Sequence, residues 1–79
     1  MKPQKTAEEL HEIIVDLVRA NPIFNDVTPH KPYWHEPDMD GCNWDLSMWA
    51  GPSLLVEEAV ESIRADVLAL RMKYDLQTT

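Results

Sequence analysis

Apolar residues recur with a helical period early in the chain. Leu10, Ile13, Ile14, Leu17 and Val18 fall at i, i+3, i+4, i+7 and i+8, one stripe of a 3.6-residue repeat. Just upstream, Thr6 and Glu9 have the spacing of a capping box, in which side chains and backbone N–H groups satisfy each other at a helix start. Downstream, Asn21 suits a left-handed cap, and Pro22 disfavours helical geometry for the residue before it. The pattern predicts a helix over residues 6–20, preceded by a flexible N-terminus, 1–5.

A second periodic run lies near the other end. Val56, Val60, Ile63, Val67, Leu70 and Tyr74 are spaced 4, 3, 4, 3, 4, a heptad-type seam. Gly51-Pro52-Ser53 opens the run, Glu57, Glu58 and Glu61 crowd its start, and Arg71 and Lys73 its end, the charge order the helix macrodipole favours. This predicts a helix over 53–75 with a flexible tail, 76–79. At 1.5 Å per residue the two helices span about 21 and 32 Å, so an antiparallel pair leaves roughly two turns of the longer seam, around Val67, Leu70 and Tyr74, to be covered otherwise. The middle segment and a second copy of the chain are the two candidates for that cover.

Between the helices the pattern changes. Residues 22–52 hold Pro22, Pro29, Pro32, Pro37 and Pro52, both glycines, Trp34, Trp44, Trp49 and the lone cysteine, Cys42. Helical periodicity is lost. In "NWDLSMW" the residues alternate, placing Trp44, Leu46 and Met48 on one strand face and Asn43, Asp45 and Ser47 on the other. "IFNDVT" and "YWH" are β-leaning pieces interrupted by proline, which is confined to sheet edges and bulges. Asp40-Gly41 within "DMDG" suits a tight turn. The expected fold is a single α+β domain, 1–79, of order α-β-β-α, with two antiparallel helices packed on a two-stranded β-hairpin.

Charge and size narrow the function. The formal net charge is −7, from fourteen acids against seven scattered bases. Nucleic-acid binding needs clustered Lys and Arg against phosphate, so a nucleic-acid ligand is not expected. The start "MKPQKTAEEL" has no apolar core of the signal-peptide kind, and no apolar run approaches the ~20 residues of a membrane span. With one cysteine available, no disulfide forms within the chain, and a reducing, cytoplasmic location is expected. So small a core often gains stability from a metal or a second protomer, which keeps a homodimer in view.

Candidate chemistry concentrates in the middle segment. Glu36, Asp38 and Asp40 alternate ahead of Gly41, which resembles the first half of an EF-hand calcium loop. Ser47 stands where that loop needs its bidentate glutamate, Asn43 takes the usual aliphatic position, and Pro37 bars an entering helix. A softer metal could take His30, His35, Asp40 and Cys42, although of these spacings only His30-x₄-His35 matches a paired zinc motif, and Pro32 interrupts it. Cys42 with His35 or His30 and Asp45 has the composition of a nucleophile–base set, but no phosphate loop, nucleophile elbow or zincin motif accompanies it. His11 lies off the apolar stripe and reads as a solvated surface residue. Cys42 reads as a small buried residue beside the turn.

The tryptophans carry the leading expectation. Trp44 shares a face with Leu46 and Met48 and reads as core. Trp34 and Trp49 lie among prolines and acids, and aromatic residues are enriched in protein interfaces. The expected protein is a non-catalytic, cofactor-free interaction module that contacts a protein partner through Trp34, Trp49, Glu36, Asp38 and Asp40. The alternatives are a metal-binding module on His30, His35, Asp38, Asp40 and Cys42, and an acidic mimic of nucleic acid that binds a basic protein.

Overall fold

The computed structural model describes residues 2–77 and has an α+β fold. Its elements are β1 (Gln4–Lys5), α1 (Ala7–Arg19), a 3-10 turn (Pro22–Phe24), β2 (Tyr33–Trp34), β3 (Trp44–Asp45), α2 (Ser53–Lys73) and β4 (Asp75–Leu76). Among the described residues the strands form two small sheets: β1 pairs with β4 in parallel, and β2 with β3 in antiparallel. Thr28 and Ala50 add an antiparallel bridge, with hydrogen bonds of 2.8 and 3.0 Å. Two-residue ladders are marginal on their own. Side-chain contacts therefore hold these strands in place.

The first helix forms as its residues dictate. Thr6 Oγ1 accepts from the Glu9 N–H at 3.1 Å, and Glu9 Oε1 accepts from the Thr6 N–H at 3.0 Å, completing the capping box. Leu10, Ile14 and Val18 are buried. The helix end departs from expectation: Ala20 caps it in right-handed geometry, and Asn21 has a negative φ of −114°. Asn21 instead opens the next turn, its Oδ1 accepting from the Ile23 N–H at 3.2 Å. Pro22 favours this start, since it needs no N–H at the first helical position. Arg19 then reaches over the turn and donates to the Phe24 and Val27 carbonyls at 2.8 and 2.6 Å.

The ends of the chain are built in. The stretch expected as flexible at the start, 1–5, contributes β1, and Leu76 of the expected tail joins Asp75, expected as the helix end, in β4, in register Gln4↔Asp75 and Lys5↔Leu76. Met1, Thr78 and Thr79 lie outside the described residues. Lys2 Nζ donates to the Arg71 carbonyl at 3.1 Å and lies 3.2 Å from Asp75 Oδ1, an ion pair outside hydrogen-bonding geometry. Two-residue strands have no periodicity to find, and their order depends on partners far along the chain.

The second helix stops at Lys73, one residue before Tyr74, the last residue of the seam. Tyr74 is extended, with its N–H still given to Leu70 and its carbonyl taken by Trp44 Nε1 at 2.9 Å. Val67 is only 5% exposed, and Leu70 and Tyr74 pack against the core. The chain's own middle segment reaches the seam, with Leu46 beside Val60 and Val67 and the fully buried Trp44 bonded to the Tyr74 carbonyl. Met48 departs from its expected face and is 86% exposed, because β3 ends at Asp45 and the alternation ends with it.

Candidate functional site

The stretch from His35 to Trp49 is an acidic turn riveted to the C-terminal end of α2. The Gly41 N–H donates to the Asp38 carbonyl at 2.9 Å, and the Asp38 N–H to the Cys42 carbonyl at 3.0 Å, closing the expected tight turn. Gly41 has φ +77°, the left-handed geometry that glycine adopts without steric penalty. Asp38 Oδ1 accepts from the Asp40 and Cys42 N–H groups at 3.0 and 3.1 Å. Its Oδ2 accepts from Arg71 at 2.7 Å. The Cys42 N–H, with the Asp40 N–H and the Arg71 charge in support, holds the Asp38 carboxyl below the usual carboxylate range.

Four further bonds continue the junction. Arg71 Nε donates to the Trp44 carbonyl at 3.1 Å, and Cys42 Sγ to the same oxygen at 3.4 Å. The Asn43 side-chain amide makes a two-point pairing with Leu76, donating to its carbonyl at 3.0 Å and accepting its N–H at 2.8 Å. In effect the Asn43 amide substitutes for a neighbouring strand. Asp38, Asn43, Trp44 and Arg71 therefore tie the hairpin to α2 and β4. No spacing in the sequence marks Asn43 or Arg71 for that work, since their partners lie 27 to 33 residues away.

This geometry sorts the sequence candidates. Asp38 and Cys42 are committed to internal bonds, and Cys42 is 1% exposed. His30, Glu36 and Asp40 are exposed, while His35 donates from Nδ1 to the Glu36 carbonyl at 2.6 Å. Among the described residues no three His, Cys, Asp or Glu side chains gather as a metal-holding set. The donors that alternate in sequence diverge on the turn, and the strongest of them, Asp38 and Cys42, already have partners. The nucleophile set is likewise not assembled, because the thiol's hydrogen-bond partner is a carbonyl. His11, expected as a solvated residue, is half-buried, and its Nε2 donates to the Pro29 carbonyl at 2.8 Å.

The tryptophans separate. Trp44 is core, as its face implies. Trp49, expected in the contact surface, is 9% exposed and packs in the core, with Nε1 lacking a hydrogen-bond partner among the described residues. It lines, with Met48, Val56 and Val60, an open groove of about 300 Å³. The large ring is drawn inward because the Thr28–Ala50 bridge fixes the backbone beside it. Trp34 remains at the surface, 48% exposed, with Tyr33 at 50%. Trp34 stands directly opposite Trp44 in the β2–β3 ladder and shares its face. Met39, at the tip of the turn, is fully exposed. Tyr33 and Met39 attract no notice in the sequence, because neither belongs to a periodic pattern.

No helix among the described residues is long and apolar enough to cross a membrane. Set beside known proteins, the chain matches no family model, no curated protein and no solved structure.

Proposed function

We propose that this chain is a non-catalytic, cytoplasmic interaction module that presents Tyr33 and Trp34 to a protein partner. The frame behind them is two helices running antiparallel against the β2–β3 hairpin. The observation that carries the reading is the half-exposed Tyr33–Trp34 pair on a hairpin pinned by Asp38, Asn43 and Arg71. Rigid aromatic anchors lose little conformational entropy on binding and dominate interface energetics. Met39 extends the apolar surface at the turn, and Glu36 and Asp40 supply an acidic rim. The favoured partner surface is an apolar pocket with neutral or basic surroundings, consistent with the net charge of −7. Trp49 and Asp38 support this surface from within and do not form it.

The test is the double variant Tyr33→Ala/Trp34→Ala. Its melting curve should stay within a few degrees of the parent, because both side chains are half in solvent. Partners that co-purify quantitatively with the parent should be lost from the variant. An unchanged partner set with an unchanged melt would remove the proposal.

A further inference from the structure

We propose that a second copy of this chain docks on the outward face of α2, the two helices antiparallel about a two-fold axis at Ile63. Three observations point there. First, α2 carries two heptad-spaced stripes on opposite sides. The inner one, through Ala59, Ile63 and Val67, is buried in the chain's own core. The outer one is Leu54, Glu58, Glu61, Ala65, Leu68 and Met72, again spaced 4, 3, 4, 3, 4 and all exposed. Leu54, Leu68 and Met72 are 75%, 51% and 64% exposed, an apolar content that a helix resting on one core does not require.

Second, reversal about the helix centre lays the apolar ends of the outer stripe on each other. A two-fold at the centre of Ser53–Lys73 sets Leu54 against the other copy's Met72. It sets Glu58 against Leu68 and Glu61 against Ala65. The helices then overlap along their full length, about 31 Å at 1.5 Å per residue. A closed two-fold contact of this kind uses the same patch on both copies.

Third, the charge along α2 is segregated. Glu57, Glu58 and Glu61 lie before the midpoint, whereas Arg64, Arg71 and Lys73 lie after it, opposed only by Asp66. Antiparallel docking brings each acidic half over the other copy's basic half and sets the helix dipoles in opposition, each N-terminus beside the other copy's C-terminus. Parallel docking would stack acid on acid. In the single chain Arg64 pairs with Glu61 at 2.8 Å, both side chains more than 60% exposed, so the pair can be exchanged between copies at little cost. The outer stripe does not include Tyr33 or Trp34, so the two proposals are tested by different substitutions.

Sedimentation equilibrium of the full chain over about 1–500 μM tests this, with a dissociation constant on the order of 10 μM expected for so small an interface. Two charge variants sharpen it: Glu57→Lys/Glu58→Lys/Glu61→Lys, and Arg64→Glu/Lys73→Glu. Arg71 is left intact because it holds Asp38 and Trp44. Each variant alone should be a monomer across that range, and an equimolar mixture should return to a heterodimer. Trp34→Ala should leave the dimer unchanged. A parent that stays monomeric, or folded variants that remain apart when mixed, would overturn the proposal. Should either triple or double variant lose its helical circular dichroism, Leu68→Glu serves instead, since this residue is half in solvent. A folded Leu68→Glu chain that dimerises as tightly as the parent would also overturn it.

Discussion

Two glycines show how differently one residue type can be constrained. At Gly51 φ is +136°, and an added Cβ would sit 2.8 Å from the Asp26 carbonyl oxygen and 3.2 Å from Val27 Cα. Both neighbours are backbone, next to the Thr28–Ala50 bridge, and cannot step aside. Gly41 has φ +77° with open space around it. Gly51→Ala should therefore cost about 2–4 kcal/mol, and Gly41→Ala only about 1 kcal/mol, in urea unfolding. The two buried indoles make a second contrast. Trp44→Phe leaves the Tyr74 carbonyl without its donor and should cost about 2–3 kcal/mol. Trp49→Phe removes an N–H that has no acceptor among the described residues, so its loss should be about 1 kcal/mol smaller.

At the level of elements, the short strands are the instructive case. β4 is held on one side by β1 and on the other by the Asn43 amide, with Leu76 buried between them. Asn43→Ala should cost about 1–3 kcal/mol, since it strands two backbone groups of Leu76 at once. The same change should speed hydrogen exchange of the Leu76 amide well beyond that of amides within α1, because β4 would open locally without the helix. Equal acceleration in both places would mean that the end of the chain unfolds only with the whole domain.

For the whole molecule, acid stability follows from carboxylates held below their ordinary range. Asp38 is held there first by the Cys42 N–H, Glu9 by the Thr6 N–H, and Glu8 by its hydrogen bond to Lys31. A depressed carboxyl binds fewer protons folded than unfolded. Its stabilising effect is full above the ordinary carboxylate pKa and is lost as pH falls through the lower, folded value. Stability should therefore be flat near neutral pH and decline below the ordinary carboxylate range. In Asp38→Asn that acid decline should be shallower, which melting temperatures across the acid limb would record. An identical slope would show that Asp38 keeps an ordinary pKa when folded.

What the chain declares by itself is what lies within a few residues of its cause. The capping box, the stripe from Leu10 to Val18, the inner seam of α2 and the Asp38–Gly41 turn are all local, and periodicity or turn chemistry exposes them. The burial of Trp44, read from the face it shares with Leu46, and of Cys42, read from its place beside the turn, is local in the same sense. Only the tertiary structure decides where Trp34 and Trp49 go, because both are aromatic residues in similar proline-rich surroundings. The Thr28–Ala50 bridge draws one inward, while the two-residue ladder leaves the other half in solvent. It also decides that Asp38 is a bracket for Arg71 and that the chain ends form a sheet. The last two outcomes depend on groups more than two dozen residues apart, and the bridge on residues 22 apart, whose meeting no local pattern encodes.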